Sequence, residues 1–240
     1  MALGREIPGL RDFTALTGRG IDVPSTPAAL WCWLRGDDRG EILHRSRELA
    51  ALVADACTLD AVIDAFQFQD SRDLTGYEDG TENPRDEAAI DAAVLRGAGA
   101  GLDGSSFVAV QQWVHDLDRF AALPAAEQDA TIGRRRSDNE EIDDAPPSAH
   151  VKRTAQESFD PEAFVVRRSM PWSDATRAGL VFVAFGRSLD AFEVQMRRMA
   201  GIDDGIADAL FRFTRPVTGA CYWCPPVAAT GGLDLRALGL

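Results

Sequence analysis

The sequence predicts an α+β fold in which a strand–helix–strand unit occurs twice, with antiparallel sheets that carry their helices on one face. Three observations lead to this prediction. Short segments alternate between apolar and polar residues, as half-buried strands do. Between them lie segments whose apolar residues recur at helical spacing. The same order of elements appears in both halves of the 240-residue chain, although the halves share negligible sequence identity.

The first half contains five predicted elements. Its main helix, over about 39–56, is predicted from an apolar stripe formed by Ile42, Leu49, Leu52 and Val53. The other elements are a strand over 29–36, an alternating strand over 61–69, an irregular loop over 76–84 and a short helix over 86–95.

The second half repeats this arrangement. A strand over 105–117 carries on one face Phe107, Ala109, Gln111 and Trp113. The elements that follow are a helix over 124–134, a polar loop over 137–149, strands over 163–170 and 179–188, a helix over 189–201 and a last strand over 219–224. The late helix ends at Gly201 and has on its buried side Phe192, Met196 and Met199.

Composition and charge narrow the class of protein. Apolar residues make up 45% of the chain, which is ample for a core, and 25 basic against 38 acidic residues give a net charge of −13. Such a charge repels phosphate backbones and anionic membranes, so neither nucleic acid nor a membrane is expected as a partner. The basic run Arg134–Arg136 lies beside an acidic tract over 139–144, which favours a solvated loop of mixed charge over an anion site.

The chain has no apolar segment of the roughly 18 residues needed to span a bilayer. Its start, MALGREIPGLRD, lacks the apolar core of a secretory signal. A cytoplasmic protein is therefore expected.

The four cysteines are too few for a disulfide framework. Cys221 and Cys224 form a C-x-x-C pair, but on a strand residues three apart face opposite ways, which favours plain buried thiols over a redox or metal pair.

The loop over 76–84, GYEDGTENP, suits neither a helix nor a strand. Gly76 and Gly80 permit positive φ, and Asn83-Pro84 favours a turn. The loop is therefore predicted to aim one or both of its carboxylates, Glu78 and Asp79, at another group.

Few other residues suggest chemistry. Of the three histidines, His44 and His115 are expected to be structural. His150 follows an acidic, proline-rich tract, and a single histidine at such a boundary is more often structural than functional. The adjacent Arg167 and Arg168 lie in an otherwise apolar strand, so one of them must face inward and find an anionic partner or a ligand.

The segment FQDSRDLTGYEDGTENP resembles the signature loop of dye-decolourising peroxidases, since Gly76 to Gly80 match that family's G-x-x-D-G motif. Further blocks follow in the family's order and are similar to its bacterial type B branch: SAHVKRT, VVRRSMPW, GLVFVAFGRSLDAFEVQMRRM and DALFRFTRPVTGACYWCPP. The resemblance runs from about residue 25 to residue 227.

This resemblance implies two ferredoxin-like units, a shortened one over 1–104 that includes the loop and a second over 105–240 that carries a haem site. The implied cofactor is heme b, an iron protoporphyrin. His150 matches the proximal iron ligand, and Asp208 matches the carboxylate that receives the other N–H of its imidazole. Asp79 matches the distal acid, and Arg167 matches the distal arginine.

Three further residues are implied at the same site. Ser169 stands where type B relatives often have asparagine, and its hydroxyl is expected to donate a hydrogen bond to bound peroxide. Phe182 and Phe185 face opposite sides of their strand by parity, and at least one of them is expected to line the haem pocket. Aromatic residues such as Trp113 and Trp223 are candidates for carrying oxidising equivalents to the surface. Aromatic side chains are, however, more often ordinary core residues.

The implied function is a haem peroxidase that reduces hydrogen peroxide and oxidises dyes or other small one-electron donors. Two alternatives stay open: a haem storage or transfer protein with little turnover, and a structural or regulatory protein that binds no haem.

Relatives carry a further strand, helix and strand ahead of the matched region, so the first unit is expected to be incomplete. The exposed edge favours association between copies of the chain, or a start inside a longer gene. The tail GGLDLRALGL faintly resembles peptides that dock in encapsulin shells; an ordinary packed tail is the alternative.

Overall fold

A six-stranded antiparallel sheet forms the centre of the computed structural model, which describes residues 5–240. The strands of this sheet are β3 (Ser106–His115), β4 (Val166–Arg167), β5 (Met170–Ser173), β6 (Ala178–Gly186), β7 (Thr214–Pro216) and β8 (Ala220–Cys224). The long strands β3 and β6 pair along their whole length. The outer edge of β3 is shared by β7 and β8, and the outer edge of β6 is shared by β4 and β5.

The remaining elements lie outside this sheet. They are the hairpin β1 (Leu16–Gly18) and β2 (Ile21–Val23) and the helices α1 (Arg39–Leu52), α2 (Asp86–Ala93), α3 (Leu117–Ala121), α4 (Ala125–Ile132), α5 (His150–Arg153) and α6 (Asp190–Met199). Short 3₁₀ turns occur at Gln156–Ser158, Ala209–Arg212 and Arg236–Leu238. Helix α6 packs on the sheet through the predicted side chains Phe192, Met196 and Met199. The α+β class with antiparallel strands is therefore confirmed.

Two predicted strands are wrong. Residues 29–36 are irregular, and 61–69 make only an isolated bridge between Ala65 and Trp172. A strand needs a neighbour for its backbone N–H and C=O groups, and the four-residue β5 offers 61–69 a partner only at this point. The predicted strand over 163–170 is also divided, because the pairing with β6 is interrupted between Arg167 and Met170.

Helix α1, in the first half of the chain, has little apolar packing around it. It forms where its apolar spacing predicts, but it buries no residue, and Leu52 is 81% exposed. Large exposed apolar side chains are concentrated in this part of the chain, at Leu30, Leu43, Leu52, Leu59, Val62, Ile63 and Phe66. The first half therefore leaves much of its apolar surface uncovered.

The earliest described segment nevertheless contributes to the main core. Ile7, Phe13 and Val23 pack in the same cluster as Phe107 of β3 and Phe192 of α6. A division into units over 1–104 and 105–240 stays a prediction, since residues from before position 24 belong to the core of the second unit.

Outside the core, other sequence-based expectations can be compared with the structure. All four cysteines are free: Cys221 is buried, and burial raises the pKa of its thiol to about 12, whereas Cys224 and Cys32 are exposed rather than buried. The tail packs on the core through Ala237 and Leu238. Over residues 5–240, no helix is both long and apolar enough to cross a membrane.

Candidate active site

A cavity lies between one face of the sheet and helix α6, and we call it the histidine cavity. Strand alternation and register form its sheet wall: Gln111 stands opposite Phe182, and Trp113 opposite Leu180. Helix α6, α5, the 3₁₀ turn after residue 208 and the glycine-bracketed loop supply the other walls. Its lining includes Asp73, Tyr77, Asp79, Gln111, His115, His150, Arg167, Phe182, Phe192, Met196, Met199, Leu210 and Phe213.

His150 is held by a buried carboxylate. Its Nδ1 lies 2.8 Å from Oδ2 of Asp208, whose side chain is fully buried. The other oxygen of Asp208 accepts the N–H of Leu210 at 2.8 Å, so this carboxylate also caps the 3₁₀ turn. Asp208 is the ring's only hydrogen-bond partner among residues 5–240. Nε2 is therefore left for a group inside the cavity, in the arrangement by which proteins orient a metal-binding imidazole.

The backbone around His150 is fixed from two sides. Arg153, at the end of α5 and 4% exposed, donates two hydrogen bonds to Asp204 at 2.7 and 2.8 Å and one to the carbonyl of Arg198. These bonds tie α5 to the end of α6. On the other side, Gly133 ends α4 with a φ of 93° and lies against Ala149 and Val151, the two neighbours of His150.

We predict that Gly133→Ala destabilises the protein and displaces His150. A Cβ at this position would lie 2.3 Å from Cγ2 of Val151, and alanine also disfavours a positive φ. Gly99→Ala is a matched control, because Gly99 has the same φ of 93° with nothing within 4 Å of the added Cβ. Chemical denaturation should show Gly133→Ala losing about 1–3 kcal/mol more unfolding free energy than Gly99→Ala. Equal losses would contradict the close packing against α5.

The glycine-bracketed loop delivers Asp79 to the same cavity. As predicted, the loop is irregular, with Gly76 and Gly80 at φ of 89° and 75°. Oδ1 of Asp79 lies 3.8 Å from a guanidinium nitrogen of Arg167, and both side chains are about four-fifths buried. Asn83 joins the loop to β4, since its side chain accepts the N–H of Arg167 at 2.7 Å and donates to its carbonyl at 3.0 Å.

The second carboxylate of the loop, that of Glu78, forms hydrogen bonds that hold the loop in place. Glu78 accepts hydrogen bonds from Arg72 and from Asn139, both at 2.9 Å. The basic run is a mixed-charge loop, as predicted, because Arg134 pairs with Glu82 and Glu141 and Arg135 pairs with Asp138. Of the loop's two acids, Asp79 thus lies near Arg167, whereas Glu78 bonds Arg72 and Asn139.

Gln111 is a buried residue of this cavity that the sequence analysis did not single out. It is fully buried on β3, its Oε1 accepts the indole N–H of Trp113 at 3.2 Å, and its Nε2 has no hydrogen-bond partner among the described residues. A buried amide without a partner costs free energy unless a ligand or water receives its hydrogen bond. The available signal was the single polar residue on the apolar face formed by Phe107, Ala109 and Trp113.

A second histidine–carboxylate pair lines the cavity. Nε2 of His115 lies 3.0 Å from Oδ2 of Asp73, and Nδ1 lies 2.6 Å from the hydroxyl of Thr214. Burial alone would raise the pKa of Asp73, but hydrogen bonds and charge from His115, with two bonds from Thr75, more than offset it and hold the pKa below its usual value. The sequence analysis expected a structural His115, and its full set of partners agrees with that expectation.

The lowered pKa of Asp73 predicts how stability depends on pH. A carboxyl whose pKa is lower folded than unfolded adds stability above its unfolded pKa and loses it as the pH falls through the folded value. Asp73→Asn should therefore unfold more easily than the unmodified chain at pH 7, and the difference should shrink as the pH falls below about 4. Thermal unfolding across pH 2.5–7 checks this, with the exposed Asp55→Asn as control. A difference that stays constant with pH would contradict the pairing.

Comparison with known proteins gives the family of this chain. Residues 70–229 match the family model described as Dyp-type peroxidase, C-terminal. The chain belongs to the Dyp-type peroxidases. A dye-decolorizing peroxidase from Mycobacterium tuberculosis is 31% identical over 224 residues, which cover 91% of this chain and 67% of the relative. The chain spans about two thirds of the length of the curated relatives it matches, between 61% and 67%.

Solved structures of Dyp-type peroxidases superpose closely on this chain. A Dyp-type peroxidase protein from Shewanella oneidensis has a TM-score of 0.88 at 29% identity and covers 98% of this chain and 75% of its own. A DypB variant from Rhodococcus jostii, described as a complex with heme, has a TM-score of 0.83 at 28% identity, with 94% and 74% covered. An encapsulated Dyp-type peroxidase from Mycobacterium smegmatis has a TM-score of 0.85 at 27% identity, with 93% and 74% covered.

The structure brings together most of the residues that the resemblance to Dyp-type peroxidases implied, but not all. His150, Asp79, Arg167 and Phe182 line the histidine cavity, and Asp208 bonds His150 from behind. Ser169 and Phe185 line a neighbouring cavity instead. Phe185 is three residues from Phe182 on β6 and so faces the other way. Ser169 lies between β4 and β5, and its hydroxyl accepts the N–H of Val183 at 3.4 Å.

The histidine cavity suits the haem that this family implies. Its volume is about 940 Å³ with its open mouth included. Its walls are mainly apolar, Nε2 of His150 is open to a metal, and the Nε2 of Gln111 lacks an acceptor. The donor set therefore fits an iron porphyrin.

Proposed function

We propose that this chain is a haem-dependent peroxidase that reduces hydrogen peroxide with electrons from small one-electron donors, dyes among them. The main support is that one cavity in a Dyp-type peroxidase chain collects a carboxylate, a guanidinium group and an imidazole nitrogen that has no partner among the described residues. For two molecules of a phenolic donor, the balanced reaction yields two molecules of water and two phenoxyl radicals from one peroxide.

His150 is proposed to hold the haem iron through Nε2. Its Nδ1–H donates to Asp208, which increases the electron donation of the imidazole and fixes the ring orientation. The bound haem would supply the redox centre that accepts the oxidising equivalents of peroxide. Apolar side chains, including Phe182, Phe192 and Met196, would exclude water from its faces.

Asp79 is proposed as the acid–base group for peroxide. Its carboxylate would accept the proton of the inner peroxide oxygen and return it to the outer oxygen, which leaves as water. Arg167 would stabilise the negative charge that develops as the O–O bond breaks. The 3.8 Å separation of the two side chains supports this, since both can reach one small ligand.

The proposal is tested by peroxide-dependent oxidation of a donor dye by the haem-loaded protein. We expect turnover that needs both peroxide and haem. Stable haem binding with no reaction toward peroxide would instead support the alternative, haem storage or transfer. Failure to bind haem would support a structural or regulatory protein.

Partners and localisation remain proposals for this chain. The exposed apolar side chains between Leu30 and Phe66 support association between copies, which light scattering would detect. An encapsulin shell is suggested by the encapsulated relative, whereas the packing of Ala237 and Leu238 supports an ordinary tail. Co-purification with a shell protein that survives deletion of residues 231–240 would exclude docking through the tail. Cytoplasmic localisation stays a prediction.

A further inference from the structure

A second cavity, which we call the arginine cavity, lies on the other side of Asp79. Its volume is about 1470 Å³ with its open mouth included, compared with about 940 Å³ for the histidine cavity. Its wall carries three guanidinium groups, those of Arg35, Arg72 and Arg168, against one carboxylate, that of Asp79. In a chain with a net charge of −13, this is a local excess of positive charge.

Two of these arginines are available to a ligand. Arg72 is occupied, since it donates to Glu78 at 2.9 Å and to the carbonyl of Gly76 at 2.8 Å. Arg35 and Arg168 form no ion pair with any acid within residues 5–240. Arg168 donates only to the backbone carbonyl of Arg167, and Arg35 lies 5.6 Å from the ring centre of Trp33. Guanidinium groups in this state are suited to bind a carboxylate.

The apolar part of the wall suits an aromatic ring. Trp33 and Phe185 are stacked, with ring centres 6.5 Å apart and planes at 22°. Phe68, Ile90, Val94 and Met170 complete the apolar surface around this pair. A flat ring can extend the stack while an acidic substituent reaches Arg35 and Arg168.

The two cavities share wall residues. Asp79 and Leu180 line both. An aromatic molecule in the arginine cavity would therefore contact side chains that also line the histidine cavity.

We propose that the arginine cavity binds aromatic carboxylates and that phenolic members of this class are electron donors of the enzyme. The donor role rests on the proposed peroxidase function, whereas the binding site does not. A donor held there gives up one electron and its phenolic proton, and two donors balance one hydrogen peroxide.

The binding site is tested with ligands that are not oxidised. The haem-loaded full chain is titrated calorimetrically, without peroxide, with 2-naphthoate and with its neutral isostere 2-naphthamide. We expect naphthoate to bind about tenfold more tightly at low salt and to lose this advantage as salt screens the charge. In the double variant Arg35→Ala/Arg168→Ala, naphthoate affinity should fall about tenfold while naphthamide affinity changes less than twofold. Arg47→Ala, on the exposed face of α1, is the matched control and should change neither.

The donor role is tested separately, by comparing 4-hydroxycinnamate with its amide as donors. The double variant should raise KM for the anion several-fold and leave KM for the amide unchanged. Equal binding of naphthoate and naphthamide, or an unchanged affinity in the double variant, would overturn the site. Selective naphthoate binding without any turnover would support the binding site and contradict the peroxidase function. Turnover without a preference for the anion would contradict the donor role.

Discussion

His150→Ala is expected to abolish stable haem binding. Removing the imidazole takes away the ring nitrogen of His150 that has no partner among the described residues, and the remaining walls offer mainly apolar contact. Because loss of a group that merely orients a metal ligand costs about 10–100-fold in affinity, loss of the ligand itself should cost at least about 100-fold. Titration of the haem-free protein with haem, followed by its absorption near 400 nm, measures the change.

Two further variants make the His150 result specific. Asp208→Asn keeps the shape of the carboxylate but removes its charge, and we expect haem affinity to fall by about 10–100-fold. His44→Ala, on the exposed surface of α1, should bind haem as the unmodified chain does. Circular dichroism of each variant separates loss of haem from loss of fold. A His150→Ala protein that is folded and binds haem as tightly as before would contradict the assignment.

Asp79→Asn and Arg167→Ala are expected to lower kcat/KM for peroxide without loss of haem. Asparagine at position 79 cannot accept the peroxide proton, and loss of a positioned acid–base group typically costs about 10²–10⁴-fold. Removal of a charge-stabilising donor at position 167 should cost about 10²–10³-fold. Steady-state kinetics with a saturating donor measure both effects.

The two side chains are also expected to act as a pair. They lie 3.8 Å apart and reach one ligand, so the double variant should lose much less than the product of the two single losses. Glu48→Gln, on the exposed side of α1, controls for a general effect of removing a negative charge. Rates within about threefold of the unmodified enzyme in Asp79→Asn would exclude its acid–base role.

The sequence predicts the second unit well because each of its elements has a partner in the fold. Strands β3 and β6 alternate or run apolar over nine to ten residues, and they pair with each other throughout. Helix α6 has an apolar face that the sheet covers. Local pattern and tertiary packing favour the same structure at these positions, so pattern alone is a reliable guide.

The first half is less predictable because strand formation depends on a neighbour. Residues 29–36 and 61–69 have the composition of strands, but the sheet offers them almost no backbone groups to bond. The helix over 39–52 forms regardless, since a helix satisfies its hydrogen bonds internally. Periodicity cannot report whether a partner strand is present.

The site residues also differ in how well the sequence predicts them. The loop composition around Asp79 and the family blocks identify His150, Asp208 and Arg167. Ser169 is the exception, since it lies between β4 and β5 and lines the arginine cavity, whereas strand parity correctly places Phe182 and Phe185 on opposite faces of β6. Asn83 and the pair of Asp73 with His115 escaped the sequence analysis because their partners lie 84 and 42 residues away along the chain.

A crystal structure of the haem-loaded protein tests the central claim most directly. We expect iron to be bound by Nε2 of His150 on one face of the porphyrin, with Asp79 and Arg167 on the opposite face. Haem bound by another residue, or Asp79 and His150 on the same face, would contradict it.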